Sequence, residues 1–446
     1  MFKTFVNAFK VKDIRKKLFF TFLMLIVIRV GSQLPVPGID LATFRQWLDQ
    51  IKDKSGDAYG FFDAFTGGSF EQMSIFALSI TPYITSSIIL QLLTIAIPKL
   101  EEMNKEEDGR KKIASYTRYV TVVLSLVESA AMAIGFKSQG ILSASTAPIL
   151  SIISVIAALT AGSAFLMWIG ERITENGVGN GISIVLTINI ISRIPSDMVA
   201  LFETYVVTAS KEKNIGAAVV YALIILAIVV FTIVLVVLLN GGTRKIPVQY
   251  AKKVQGNRMI GGNSSNIPLR VNTAGVMPII FASSLLQFPV VICSLFNVGT
   301  TGAGATILKC MQSSYWFKGG EQLKYSIGLL VYVILVVFFA YFYTSITFNP
   351  LMVSDNMKKS GGFIPGIRPG KPTTEYLNSV LNYIIFMGAV GLLIVALIPI
   401  FFSGVFAANV SFGGTSLIII VSVILETMQQ VESMMLERNY KGFLNA

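Results

Sequence analysis

Residues Ile215 to Leu239 read IGAAVVYALIILAIVVFTIVLVVLL, 25 positions without a single charge. About 20 apolar residues in a helix cross the ~30 Å hydrocarbon layer of a bilayer. This run is read as a transmembrane helix, and the same pattern recurs on both sides of it. Reading outward gives ten candidate spans: Leu18–Leu34, Ser74–Ile97, Ile113–Phe136, Pro148–Ile169, Ile182–Phe202, Ile215–Leu239, Ala274–Phe296, Tyr325–Phe348, Val380–Phe402 and Ser416–Met435. Hydrophobic residues make up 53% of the chain and charged residues 13%, about half the ~25% charge of a soluble domain. Mean hydropathy is +0.69. The fold class is an all-α polytopic membrane protein.

The missing residue types exclude whole classes of chemistry. With no histidine among 446 residues, Ser-His-Asp and Cys-His catalysis, HExxH zinc sites and histidine proton relays are ruled out. Cys293 and Cys310 lie 17 positions apart, which is not a metal-ligand or CxxC spacing. Thirty-six Lys and Arg against 24 Asp and Glu give a net charge of +12. With the N-terminus inside, 25 of these cations fall on inner segments and 10 on outer ones, while Arg29 lies within the first span. Positive-inside topology therefore accounts for the charge without nucleic acid. The basic start and first span look like a signal peptide, but they lack a small-residue cleavage site and nine spans follow, so retention is expected. Both termini are expected in the cytoplasm.

Lys211–Ile215 divides the spans into two sets of five, residues 1–210 and 211–446. Five is odd, so the second half enters with opposite orientation. An inverted repeat follows, of the kind that builds a pathway between its halves. The fifth span is weak, interrupted by Arg193 and Pro195, and does not suit lipid on all sides.

Several segments are neither spans nor ordinary loops. The outer connection from Pro35 to Met73 contains Gly60-Phe61-Phe62-Asp63-Ala64-Phe65-Thr66-Gly67-Gly68-Ser69-Phe70. It is too short to cross and too aromatic for an exposed loop. It suits a short re-entrant helix, near residues 60–72, packed inside a cavity; an aromatic anchor at the membrane interface is the alternative. Gly177-Val178-Gly179-Asn180-Gly181 departs from GxGxxG and follows no strand. Gly366-Ile367-Arg368-Pro369-Gly370-Lys371-Pro372 lacks Walker A spacing. Nucleotide binding is not expected, so any work against a gradient or on a large cargo would draw its energy from elsewhere.

Two inner loops, 241–272 and 349–376, are longer than orientation requires. The first carries Arg244, Lys245, Lys252, Lys253, Arg258 and Arg270, and the second Lys358, Lys359, Arg368 and Lys371. Both mix apolar residues with turn-formers, which suggests ordered structures meeting a cytosolic partner. Inside the spans stand Arg29, Glu128 and Glu426. An intramembrane carboxylate is a functional candidate by default, and Glu128 is expected to face protein or water.

Several motifs together resemble the SecY family, the channel subunits of the protein translocase, related to the large subunit of the eukaryotic translocon. They include Pro35-Val36-Pro37-Gly38-Ile39-Asp40, Ile75-Phe76-Ala77-Leu78-Ser79-Ile80-Thr81-Pro82-Tyr83-Ile84, Glu107-Asp108-Gly109-Arg110-Lys111-Lys112-Ile113 and Gly177-Val178-Gly179-Asn180-Gly181-Ile182-Ser183. Ile246-Pro247-Val248-Gln249-Tyr250-Ala251, Pro278-Ile279-Ile280-Phe281-Ala282-Ser283-Ser284, Pro365-Gly366-Ile367-Arg368-Pro369-Gly370 and Phe412-Gly413-Gly414-Thr415-Ser416 continue in the family's order.

The resemblance implies a clamshell of two inverted five-helix halves with a short plug helix, and a lateral gate between spans two and seven. By motif, an apolar pore ring maps to Ile80, Ile84, Ile182, Leu186, Ile280 and Ile419. The plug maps to Phe61, Phe62, Phe65, Gly67, Gly68 and Phe70, and the polar contact at the gate to Thr85, Glu128 and Phe288. Lys252, Lys253, Arg258 and Arg368 are the implied contacts to a motor or ribosome. Implied partners are the small subunits SecE and SecG, the motor ATPase SecA, the ribosome, signal sequences and nascent polypeptides, and membrane lipids. No cofactor, metal or active site is implied, and the location is the cytoplasmic membrane of a bacterium. Ring side chains lining an aqueous path are expected to carry few packing contacts. Competing readings are a ten-span transporter of small solutes, an accessory family member for dedicated export substrates, and, more weakly, a membrane-embedded hydrolase.

Overall fold

The computed structural model describes residues 9–55, 66–142, 148–201, 215–250, 253–255, 258–260, 264–295, 302–312, 315–316, 325–406 and 414–444. Its helices are α1 (Lys12–Gly31), α2 (Leu41–Ser55), α3 (Thr81–Ala96), α4 (Pro98–Lys105), α5 (Glu107–Ser138), α6 (Pro148–Asn176), α7 (Gly181–Leu201), α8 (Ile215–Gly241), α9 (Met277–Leu295), α10 (Gly302–Met311), α11 (Ile327–Thr347), α12 (Pro350–Lys359), α13 (Lys371–Phe406) and α14 (Gly414–Leu444). The ten expected spans correspond in order to α1, α3, α5, α6, α7, α8, α9, α11, α13 and α14. Proposed seam residues 211–214 lie outside the described residues.

Among the described residues, α5, α6, α11, α13 and α14 are long and apolar enough to cross a bilayer by themselves. The second span differs from its sequence expectation. Ser74 to Ile80 forms turns, and α3 starts only at Thr81, where Pro82 stands at a first-turn position that tolerates a missing N–H. At its other end, Ile97 is extended (φ −113°, ψ 110°) because Pro98 disfavours helical backbone in the residue before it. There α3 and α4 bend by 109°.

Packing runs in two groups. In the first, α5 lies against α3 and α6, and α6 against α1 and α7; in the second, α9 packs on α11, α11 on α13, and α14 on α8 and α13. The groups meet along two seams, α5 with α9 and α7 with α14.

The two large loops, 241–272 and 349–376, are joined by strand pairing among their described residues. Strand β1 (Thr243–Tyr250) pairs antiparallel with β4 (Ser264–Arg270) from its own loop and with β5 (Gly362–Phe363) from the other. The sheet order is β4-β1-β5, and β2 (Lys253–Gln255) pairs with β3 (Arg258–Ile260) beyond it. Alternation along β1 turns Ile246 and Val248 inward, as the two-residue period of a strand requires. They pack with Leu269, Met357, Ile364, Leu377, Val380 and Ile384 over the inner ends of α12 and α13. Asn349 caps α12, its side chain accepting from the amides of Leu351 and Met352, which satisfies two otherwise orphaned donors.

Candidate functional site

The turn that ends at Ile80 places it at the N-cap of α3, with Ile84 one helical turn on. Opposite, α7 starts where the Asn180 side chain accepts from the amides of Ile182 and Ser183 at 3.1 and 3.4 Å. The Thr174 hydroxyl accepts from Gly181 N at 2.9 Å. These bonds set the start of the helix, so Ile182 and Leu186 share one face at i and i+4. Ile280 comes from the first turn of α9 and Ile419 from the start of α14. All six belong to one apolar cluster.

Ile80 is 0% exposed, Ile84 6%, Leu186 4%, Ile280 2% and Ile419 1%, and Ile182 is partly buried against them. The expectation of side chains loosely lining water is corrected here. The six candidates, from α3, α7, α9 and α14, pack within one large apolar cluster, and five of them are buried in it.

Of the six plug candidates, Phe61, Phe62 and Phe65 lie outside the described residues. Gly67 and Gly68 have φ of +67° and +80°, in the left-handed region that suits glycine. A Cβ on Gly67 would stand 2.7 Å from the Asn189 backbone, so α7 leaves no room for any other residue there. Phe70 packs edge-to-face on Phe44 of α2, ring centres 5.8 Å apart. That places it in a second apolar cluster with Phe136 and Met73, apart from the collar.

Polar contacts fasten this segment. Arg29 Nη1 on α1 donates to the carbonyl of Gly67 at 3.3 Å, and so does the Ser192 hydroxyl at the same distance. Arg193 Nη1 reaches Glu71 Oε2 at 2.6 Å, and Asn189 Nδ2 donates to Ser79 Oγ at 3.1 Å. Asn189, Ser192 and Arg193 stand at i, i+3 and i+4, one face of α7. Read from sequence, Arg193 only interrupted a span; that face was the signal available for its role.

Around the candidate gate residues, α5 and α9 are in contact, but the expected polar contact is not made among the described groups. Thr85 Oγ1 donates back to Thr81 O at 3.1 Å. Glu128 Oε1 is buried without a hydrogen-bond partner. Phe288 lies in α9, and its side chain is outside the described residues.

On the second large loop, Arg368 is exposed between Gly366 and Gly370, both at positive φ. Its carbonyl accepts from the Thr373 hydroxyl at 2.8 Å, and the Ser354 hydroxyl donates to Gly370 O at 3.0 Å. The loop is thus tied to α12 and α13 and presents the guanidinium outward. Lys253 and Arg258 lie on β2 and β3 with side chains outside the described residues, as is all of Lys252. Both cysteines are free, and no group of His, Cys, Asp or Glu among the described residues could hold a metal.

The SecY family model matches residues 74–428. A "Protein translocase subunit SecY" from Streptomyces scabiei is 42% identical over 100% of both chains. The chain belongs to the SecY family. Among solved structures, one described as "The structure of a protein conducting channel" shares the fold with a TM-score of 0.63 and 18% identity, covering 95% of this chain and 93% of its own. Another, "Sec61 in the Canine ribosome-channel complex from the endoplasmic reticulum", has a TM-score of 0.61 and 17% identity, covering 94% and 92%. This SecY-family chain is therefore a multi-pass membrane protein of the clamshell class, and it serves as a protein translocation channel.

Proposed function

We propose that unfolded polypeptides pass between the two halves, residues 1–210 and 211–446, through the collar of Ile80, Ile84, Ile182, Leu186, Ile280 and Ile419. The single observation that carries this reading is the collar: four helices from both groups meet in an apolar cluster, with no charge among the six side chains. A narrow apolar constriction excludes ions because they lose hydration there, while flexible uncharged side chains yield to cargo of any sequence. A transporter of small solutes would instead gather polar groups at the bilayer midplane.

In this reading, the segment that ends in Gly67, Gly68 and Phe70 is the base of a plug, and Phe61, Phe62 and Phe65 belong to it. Helices of membrane proteins leave sideways between α3 and α9, past Thr85, Glu128 and Phe288. The paired inner loops, with Lys252, Lys253, Arg258 and Arg368, receive the ribosome or the motor SecA, and SecE and SecG complete the membrane complex. The ribosome-bound state of the canine neighbour supports the first of these partners. Both termini lie in the cytoplasm of a bacterium. Reconstituting the chain with SecE, SecG and SecA in vesicles tests the reading: a secretory precursor becomes protected from protease only when the motor has ATP. Protection equal without the chain would refute it.

A further inference from the structure

Helix α8 runs into β1 and β4 runs into α9, so the two strands of one ladder lead to two helices. The ladder continues past its last strand pair, Thr243 with Arg270, because Val271 N donates to Gly242 O at 2.9 Å. Just beyond, two asparagines meet. Asn272 Nδ2 donates to Asn240 Oδ1 at 2.8 Å. The other end of the Asn240 amide is used as well, its Nδ2 donating to Ser422 Oγ on α14 at 2.7 Å.

Holding a donor and an acceptor at once fixes the orientation of the Asn240 amide. Asn272 is 7% exposed, so water does not readily replace a partner lost there. Helix α13 backs the junction: a Cβ on Gly388 would stand 2.4 Å from the carbonyl oxygen of Val271.

The chain of bonds joins the supports of two collar residues. Asn272 lies shortly before α9, whose first turn carries Ile280. Ser422 follows Ile419 on α14 by three residues, close to one helical turn. Asn272, Asn240 and Ser422 thus form a polar strut between the root of α9 and α14. Ile280 and Ile419 are buried in one apolar cluster, but apolar attraction is non-directional and tolerates sliding. Hydrogen bonds of this length are directional. The strut is therefore what fixes the relative position of the two supports.

We propose that Asn240 and Asn272 are positioning residues of the gate. With Ser422 they hold the root of α9 to α14 in the closed channel, and so set how strong a signal segment must be to open it. This rests on the channel and collar reading above. Opening that moves α9 from α14 breaks the strut. A segment shifts the equilibrium only by its differential affinity for the two states. A strong signal already saturates opening, whereas a weak one is limited by the closed-state preference. Loss of the strut therefore favours weak signals selectively.

The test uses the complete chain reconstituted with SecE, SecG and SecA in vesicles. Two secretory precursors are compared, identical except that one has a shortened apolar core in its signal segment. Asn272→Ala and Ser422→Ala should each raise export of the weak-signal precursor about 2- to 10-fold, the range of one net hydrogen bond, and leave the strong-signal precursor near the parent rate. The links are in series, so the double variant should add nothing to the larger single effect. Ser422→Thr, which keeps the hydroxyl, should behave as the parent. So should Thr273→Ala, whose hydroxyl donates to Arg270 O at 2.7 Å outside the strut. Single variants with the parent's ratio of weak to strong export, single effects that multiply in the double, or an equal rise in Thr273→Ala overturn the proposal. A fall in export of both precursors also overturns it, because that marks a merely structural role. A parent that exports neither precursor overturns the channel reading itself, and this inference with it.

Discussion

Arg193 of α7 and Glu71 of the plug-side segment meet at 2.6 Å, next to the Gly67 carbonyl that Arg29 and Ser192 hold. The weakest of the ten spans therefore carries the face that keeps this segment in place. Glu71→Gln should raise the resting ion leak of reconstituted vesicles a few-fold. The effect is small because the pair is partly exposed, its side chains 22% and 36% accessible, and such pairs contribute about 1 kcal/mol or less. The swap Glu71→Arg with Arg193→Glu should restore tightness; if leak is the same in all three proteins, the ion pair is no latch.

Gly67 tests the same fastening through the backbone. Alanine there costs about 1–2 kcal/mol for the left-handed conformation, besides its Cβ meeting the Asn189 backbone. Gly67→Ala should lower the thermal midpoint and leak more than Glu71→Gln. A variant with unchanged midpoint and leak would show that the close approach to α7 does not exist in the membrane.

The collar separates sealing from packing. Replacing Ile84, Ile182 and Ile280 together with Ser should admit water and raise resting leak strongly. Since Ile84 and Ile280 are buried, stability should fall too, by about 2–4 kcal/mol for each. Valine at the same positions should cost about 1 kcal/mol each and stay ion-tight. Vesicles of the triple Ser variant as tight as the parent would move the seal elsewhere.

Arg368 presents a planar, permanently charged fork suited to a carboxylate or phosphate on a loop fixed from α12 and α13. Arg368→Glu should leave abundance and ion-tightness intact and cut motor-driven export severely. Arg368→Lys, keeping the charge but losing the fork, should fall between. Near-normal export by the Glu variant would remove the coupling role.

The spans were legible because each crossing needs its own apolar run, and a 25-residue uncharged segment such as Ile215–Leu239 has no other common reading. The proposed collar positions could be named only through motif resemblance, since isoleucines in apolar helices carry no periodic mark of their own. The β1–β5 pairing was not legible: two residues, Gly362 and Phe363, join a strand in a distant loop, and no local pattern announces that. The start of α3 was misplaced because Ser74–Ile80 is as apolar as a helix, and only Pro82 hinted that the backbone turns first.

The most direct test of the account places a photo-cross-linker in turn at Ile84, Ile280 and Tyr383, the last 75% exposed on α13. A secretory precursor is then stalled halfway across reconstituted vesicles. The account predicts cross-links to the precursor from Ile84 and Ile280 and none from Tyr383. A precursor that reaches the vesicle interior while marking neither collar position would contradict it.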